Sequence, residues 1–233
     1  MVSPSKAPAA LKVASRGESK DTPIKLKDLR VHSDPRGRIA EQFRTLRNSV
    51  QALNPDGAPR NLVLTSALAG EGKTTALLNL AMALVELPHL RVLVIDGNLQ
   101  EPGVERRLGL PARQGLSELL EGSLDIDQAV RETIVDRLYV MGAGVPPANP
   151  SQYLGTDRMG SVLHTLKRTF DYVLIDTPAV LDYNDASLVA RLADGVMIAV
   201  RLGKTPKYLV EQAAGVLEGL GANFLGTCVL GAE

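Results

Sequence analysis

Short, almost continuously apolar runs alternate with longer helical patterns from about residue 60 to the end of the chain. Six of these runs are rich in β-branched residues and predict strands: NLVLTS, RVLVID, RLYVMG, DYVLID, GVMIAVR and FLGTCVL. Strands that are buried on both faces, as in parallel sheets, show such continuous apolar runs.

The stretches between these runs have apolar residues at the three- and four-residue spacing of an α-helix. They cover 73–87, 115–122, 156–169, 184–193 and 205–220. Regular alternation of strands and helices is typical of a parallel sheet covered by helices on both faces. We therefore predict one α/β domain, with no internal repeat.

A further helix is predicted before the first strand, over residues 34–54. Its apolar positions, spaced by four and three, are Ile39, Phe43, Leu46, Val50 and Leu53. Glu41, Arg44 and Arg47 follow one another at intervals of three and form a charged stripe on another face. The stripe is either a solvated helix face or a contact surface. The sequence NPDGAPR then ends the helix.

Residues 1–33 are rich in Ser, Pro, Ala and Lys, and we predict that they form a flexible basic tail before a domain over 34–233. Residues 1–38 hold nine Lys or Arg against four Asp or Glu. This excess of positive charge is typical either of a solvated linker or of a contact with an anionic partner or membrane surface.

The composition narrows the function classes. Formal net charge is zero, aromatic residues make up 3% and tryptophan is absent, which argues against a base-stacking nucleic-acid platform. The single cysteine excludes an internal disulfide framework. No apolar run reaches the roughly 18 residues of a membrane span, and the N-terminus lacks the apolar core of a signal peptide. We expect a cytoplasmic protein without a specific nucleic-acid partner.

The sequence SALAGEGKTT, residues 66–75, joins a predicted strand to a predicted helix and resembles a phosphate-binding loop. In the pattern G-x-x-x-x-G-K-[ST], backbone N–H groups surround the phosphates, the lysine reaches the β- and γ-phosphates, and the hydroxyl binds Mg²⁺. A helix N-terminus adds further N–H groups. The predicted nucleotide-binding residues are Gly70, Glu71, Gly72, Lys73, Thr74 and Thr75.

Ala67 stands at the first glycine of that pattern. Alanine can occupy this position if its φ is negative, because glycine is needed only for positive φ or close backbone approach. The alternative, a glycine turn that merely joins strand to helix, does not explain why Lys73 and Thr74 follow it.

Two predicted strands end in an aspartate, VLVID at Asp96 and DYVLID at Asp176. Ligands of open α/β sheets bind outside the carboxyl ends of the strands, so both carboxylates should face the same site as Lys73. A phosphate-binding loop also needs a carboxylate for its metal ion or the waters of that ion. Each aspartate alone could instead cap a turn.

Several segments in order resemble the bacterial tyrosine autokinases of capsule and exopolysaccharide synthesis, which are related to the partition and septum-site ATPases. The resemblance covers about residues 38–230 and is carried by TSALAGEGKTT, VLVIDGNLQEPGVERRLGL, GLSELLEG, GAGVPPANPSQYL and FDYVLIDTPAVLDYNDASLVARLADGVMIAVR. It implies a P-loop NTPase fold, with ATP and Mg²⁺ as cofactors.

The resemblance also implies roles for single residues. Lys73 would contact the phosphates and Thr74 would bind Mg²⁺ in Walker A. Asp96 matches the first aspartate of Walker A′, and Asp176 matches Walker B, so both would serve in catalysis and metal binding.

By the same resemblance, Glu41, Arg44 and Arg47 match the family's E-x-x-R-x-x-R motif, which packs neighbouring subunits into a ring. A separate membrane-anchored polysaccharide co-polymerase chain would recruit the protein to the inner face of the membrane and activate it. Leu68 stands where partition ATPases carry a lysine, which argues against a DNA-partition function.

Three departures from the family pattern bear on the activity. The family motif D-x-D-x-R reads DGNLQ here, so Asn98 replaces a carboxylate and Gln100 an arginine. Ala69 replaces the usual loop proline. The five tyrosines do not cluster into the tyrosine-rich tail that receives phosphate in the family. Two hypotheses follow: an ATP-dependent tyrosine phosphotransferase, or a kinase-deficient ATP-binding module that regulates polysaccharide synthesis by nucleotide-dependent oligomerisation.

Overall fold

The computed structural model describes residues 29–58 and 60–231. The helices in this part of the chain are α1 (Arg30–Ser33), α2 (Arg38–Ala52), α3 (Lys73–Val85), α4 (Val104–Leu108), α5 (Leu116–Glu121), α6 (Ile126–Ala129), α7 (Ser151–Leu154), α8 (Asp157–Leu166), α9 (Asp185–Ala190) and α10 (Lys207–Gly219). The strands are β1 (Arg60–Ser66), β2 (Val92–Asp96), β3 (Arg131–Glu132), β4 (Leu138–Met141), β5 (Tyr172–Asp176), β6 (Gly195–Arg201) and β7 (Phe224–Leu230).

The seven strands form one sheet in the order β3-β4-β2-β5-β1-β6-β7. Every neighbouring pair is parallel except β3 and β4. The mostly parallel sheet predicted from the continuous apolar runs is confirmed. The three central strands β2, β5 and β1 are consecutive, so their carboxyl ends lie side by side.

The sheet separates two apolar cores because successive strand residues point to opposite faces. In β2, Leu93 and Ile95 belong to one core and Val92 and Val94 to the other. Helices α5, α8, α9 and α10 cover the first face, whereas α1, α2, α3 and α4 contribute to the second. Helices on both faces are therefore also confirmed.

Helix α3 lies between the sheet and α2, and all of its residues except Thr75 are buried. A helix that is apolar nearly all round is typical of such a central position. Because α3 starts directly at the loop after β1, its N-terminus is fixed against the carboxyl edge of the sheet.

The elements that the sequence did not predict are short. Strand β3 has two residues and α1, α6 and α7 have four each. Runs of this length are too short to show a helical or strand period. Helix α4, with five residues, was missed for the same reason.

The predicted end of the N-terminal tail at residue 33 is wrong. Leu29 and Val31 are only 1% and 5% exposed and belong to the core beneath α2 and α3. The backbone N–H of Val31 donates to Oδ1 of Asn79 on α3 at 3.1 Å. The folded part therefore includes Leu29 to Ser33. In the sequence, the polar and basic neighbours of Leu29 and Val31 hide the helical pattern. Residues 1–28 of the predicted tail lie outside the described residues.

Candidate nucleotide site

The loop from Ala67 to Gly72 connects β1 to α3 at the carboxyl edge of the sheet. Gly70 and Gly72 have φ values of 77° and 87°, which side chains disfavour and glycine accepts. Ala67 has a negative φ, and its methyl group is fully buried in the core. Alanine at the first position is thus compatible with the loop, as the sequence predicted.

Lys73 and Thr74 form the first turn of α3 and are each 8% exposed. Within residues 29–58 and 60–231, no hydrogen bond or ion pair of the Lys73 ammonium group is found. Lysines are rarely buried without a partner. An unpaired ammonium group on a largely buried residue, beside the free N–H groups of a helix N-terminus, favours an anion.

Asp176 ends β5 opposite Asp96 of β2 in the strand register. Its Oδ2 accepts a hydrogen bond of 2.6 Å from the hydroxyl of Thr74, which joins β5 to the first turn of α3. Burial, together with the negative charge of Asp96, raises the pKa of Asp176 to about 7. Oδ1 of Asp176 is buried and has no hydrogen-bond partner in the described part of the chain.

Asp96 is buried, and its carboxylate also holds the start of α4. Oδ2 accepts from the backbone N–H groups of Gly103 and Val104 at 2.8 and 2.9 Å, and Oδ1 accepts from that of Asn98 at 3.3 Å. Burial raises the pKa of Asp96, and the three N–H donors oppose this rise. Of the two carboxylates, Asp176 has the oxygen free of protein donors.

The two amides that depart from the family motif are used inside the protein. Oδ1 of Asn98 accepts from the backbone N–H of Glu101 at 3.1 Å. Nε2 of Gln100 donates to Oδ2 of Asp185 at 3.1 Å, and the Ser151 hydroxyl donates to Oδ1 of that carboxylate at 2.5 Å. Gln100 therefore links the loop after β2 to α9.

Glu71 is 6% exposed, and its carboxylate contacts protein groups. Oε1 accepts from the hydroxyl of Thr205, in the connection between β6 and α10, and Oε2 accepts from the backbone N–H of Leu68 at 3.4 Å. The side chain of Glu71 therefore fixes the loop to the connection between β6 and α10.

Thr75 continues the first turn of α3, and its hydroxyl accepts a hydrogen bond of 3.2 Å from Nε of Arg107 on α4. The sequence did not single out Arg107. Helix α4 is too short to show a period, and the contact with α3 depends on how the two helices pack.

The two arginines of the charged stripe on α2 contact the end of α3 within the same chain. Arg44 donates to both carboxylate oxygens of Glu86 at 2.6 and 2.8 Å and also pairs with Glu41. Arg47 donates to Glu86 at 3.2 Å and to the carbonyl of Ala83 at 3.0 Å. Both arginines are thus held against the end of α3, while the Glu41 side chain is 65% exposed.

The group of side chains at this edge fits a magnesium–nucleotide complex. Hydroxyl and carboxylate oxygens are the ligands that Mg²⁺ prefers. Oδ1 of Asp176 is buried and accepts no hydrogen bond in the described part of the chain, so it is available to bind a cation. Lys73 and the N-terminus of α3 supply the positive charge of the site.

The described residues contain no helix long and apolar enough to cross a membrane.

Comparison with known proteins gives a consistent family. A family model described as "AAA domain" matches residues 62–213, more than half of the chain. The tyrosine-protein kinase YwqD of Bacillus subtilis is 32% identical over 188 residues, which cover 81% of this chain and 78% of that protein.

Solved structures show the same fold. The kinase domain of the Escherichia coli tyrosine kinase ETK superposes with a TM-score of 0.84 at 27% identity, over 93% of this chain and 82% of that one. The septum site-determining protein MinD of Pyrococcus horikoshii, solved as a complex with Mg-ADP, superposes with a TM-score of 0.64 at 25% identity, over 72% of this chain and 69% of that one.

Proposed function

The chain belongs to the bacterial tyrosine-protein kinase family, and we propose that it is a MgATP-dependent phosphotransferase that modifies tyrosine hydroxyls to regulate capsular or extracellular polysaccharide synthesis or export. The observation that carries this proposal is the hydrogen bond between Thr74 and Asp176. It joins the phosphate-binding loop to a second strand end, next to Asp96 and to the unpaired Lys73.

Phosphoryl transfer depends on positioning and charge neutralisation more than on covalent chemistry. Lys73 and the N–H groups of the loop bind the phosphates. Thr74 and Asp176 would hold Mg²⁺, and Asp96, at the same edge of the sheet, would be a further ligand. The ion, when bound, neutralises phosphate charge and orients the transferred group. Where Asp96 does not bind the ion, its carboxylate can accept the proton of an attacking tyrosine hydroxyl.

Assembly and localisation form a second part of the proposal. Glu41, Arg44 and Arg47 contribute to a contact between copies in a ring. For this contact, Arg44 and Arg47 either keep their ion pairs with Glu86 while binding the neighbouring copy or replace them with ion pairs to that copy. The protein works in the cytoplasm, where a separate membrane-anchored co-polymerase chain recruits it to the membrane and activates it. No specific nucleic acid takes part.

A second candidate function is a kinase-deficient module that binds ATP and regulates the polysaccharide complex through nucleotide-dependent oligomerisation. Asn98 and Gln100 favour it, because a neutral amide replaces a carboxylate at one position and an arginine at the other. Both amides are used in hydrogen bonds within the chain. Loss of one positioned base typically slows proton transfer by about 10²- to 10⁴-fold.

Labelled ATP with Mg²⁺ separates the two candidates. The full chain is incubated with and without the cytoplasmic segment of the membrane partner, and phosphotyrosine is measured alongside oligomeric state. Phosphotyrosine that forms with the wild type and is absent from Lys73→Met supports the phosphotransferase. Oligomers that depend on nucleotide, with no phosphotyrosine under any condition, support the regulatory module.

The variant Asn98→Asp refines this comparison because it replaces the side-chain amide with a carboxylate of nearly the same size and shape. An aspartate can still accept the hydrogen bond from Glu101, so the loop should keep its conformation. If the chain is kinase-deficient through Asn98, transfer should rise, by as much as about 10²-fold. If the wild type is already an active phosphotransferase, the rate should change little.

A further inference from the structure

The guanidinium of Arg107, on α4, lies over the first turn of α3. Its Nε donates to the hydroxyl of Thr75 at 3.2 Å, and its Nη1 donates to the carbonyl of Gly103 at 3.4 Å. Thr75 directly follows Lys73 and Thr74, so this cation stands beside the loop that is proposed to hold the phosphates.

Arg107 has N–H donors that form no hydrogen bond within the described part of the chain. A guanidinium carries five N–H groups, and these two hydrogen bonds use two of them. No carboxylate in the described part of the chain forms an ion pair with Arg107. Its positive charge nevertheless acts on Asp96 and Asp176, where it lowers the pKa against the effect of burial.

Gly103 leaves space for the guanidinium in the position that it occupies. A Cβ added at residue 103 would lie 2.6 Å from Nη1 of Arg107 and 3.8 Å from Cγ2 of Thr74. Gly103 has φ −139°, which any residue adopts, so its backbone does not require glycine. The absent side chain instead leaves room for the guanidinium next to Thr74.

Helix α4 is held firmly enough to present this side chain. Asp96 binds the two N–H groups at its start, at Gly103 and Val104. Glu105 forms a buried ion pair with Arg131 of β3, and Leu108 is buried in the core. A binding group on a fixed element loses little conformational entropy when its ligand arrives.

We propose that Arg107 binds phosphate oxygens of the nucleotide, as a second cationic group beside Lys73. This inference rests on the proposed function, because it assumes that a nucleotide occupies the loop. A planar guanidinium with unused donors matches phosphoryl oxygens in pairs. Arg107 presents such a guanidinium from α4, next to the first turn of α3.

Isothermal titration of the full chain with MgADP tests the proposal. Arg107→Met should bind MgADP about 10- to 100-fold more weakly than the wild type, since one charge-assisted set of hydrogen bonds is lost. Arg106→Met is the matched control, because Arg106 is the neighbouring arginine on α4 and is exposed. This variant should bind like the wild type.

Two further measurements exclude a purely structural effect. The thermal unfolding midpoint of Arg107→Met without nucleotide should match that of Arg106→Met. Gly103→Ala keeps the arginine but occupies the space of its Nη1, so it should weaken MgADP binding several-fold on its own; this variant also decides the question if Arg107→Met fails to fold.

Binding of Arg107→Met within about twofold of the wild type would overturn the inference and leave the nucleotide site standing. Unchanged binding by Gly103→Ala in the absence of a folded Arg107→Met would do the same. A wild-type protein that binds no MgADP would instead overturn the proposed function itself.

Discussion

Asp176 is a side chain of the candidate nucleotide site whose pKa the fold raises far above its ordinary value. Its carboxylate is buried at the end of a central strand, opposite Asp96, and only the hydroxyl of Thr74 donates to it. Charge in such a place is costly, and the pKa rises to about 7 as a result. Without a bound metal ion, the protein lowers this cost by taking up a proton, although Lys73 and Arg107 act against it.

The sign of the pH effect on stability follows. In the unfolded chain Asp176 has an ordinary pKa of 3.8, and in the folded chain the value is about 7. Folding therefore takes up a proton between these values, and the free energy of unfolding falls as pH rises from about 4 to 7. The total loss from this group is roughly 4 kcal/mol.

Asp176→Asn should lack this loss, so its stability relative to the wild type should increase with pH across that interval. Denaturant unfolding in the presence of a chelator at pH 5, 6 and 7 measures it. Glu121→Gln, at an exposed carboxylate, serves as the control. A constant difference between Asp176→Asn and the wild type at all pH values would contradict the raised pKa.

At the scale of elements, α4 depends on groups that a short helix cannot provide for itself. Five residues form too few intrahelical hydrogen bonds to be stable alone. The carboxylate of Asp96 satisfies the N–H groups at its start, and Glu105 pairs with Arg131 on β3. Burial raises the pKa of Glu105 and lowers that of Arg131, so each charge is tolerated because of the other.

Breaking this pair from one side should destabilise the protein. Arg131→Met leaves the Glu105 carboxylate buried without its cation and should cost about 3 to 5 kcal/mol. Adding Glu105→Leu should recover most of that loss, because no charge then remains to be desolvated. Chemical denaturation of the wild type, the two single variants and the double variant gives the coupling. Additive effects of the two substitutions would show that the pair is not coupled.

At the scale of the whole molecule, the candidate nucleotide site joins segments that are far apart in the chain. The loop after β1, the ends of β2 and β5, and the connection between β6 and α10 meet there through Thr74, Asp176 and the Glu71–Thr205 contact. A ligand that contacts several of these segments stabilises the folded state as a unit, because the unfolded chain cannot bring them together.

MgADP at about 100 times its dissociation constant should therefore raise the unfolding midpoint by roughly 5 to 10 °C. Lys73→Met should show little or no rise, because it lacks the ammonium group that we propose binds the phosphates. Differential scanning calorimetry with MgADP, with ADP plus chelator and with neither measures the effect. An equal rise for Lys73→Met and the wild type would contradict the assignment of the site to this loop.

The sequence predicted the larger elements and the edge of the sheet where the site lies. Continuous apolar runs gave the strands, and the helical spacing gave the longer helices, because both patterns repeat within one element. The two strand-end aspartates could be placed near the loop from general sheet topology. Short elements such as β3 and α4 were missed, and the end of the tail was placed too late because Leu29 and Val31 are isolated apolar residues.

The order of residues alone thus determined the α/β class and was enough to predict a phosphate-binding loop at Lys73 and Thr74, since both depend on neighbours in the chain. Only the packed structure decided that Asp176 bonds to Thr74, that Arg44 and Arg47 share Glu86, and that Arg107 reaches Thr75. Each of these contacts joins residues more than 30 positions apart. Their distances are set by helix packing against the sheet, which no local pattern encodes.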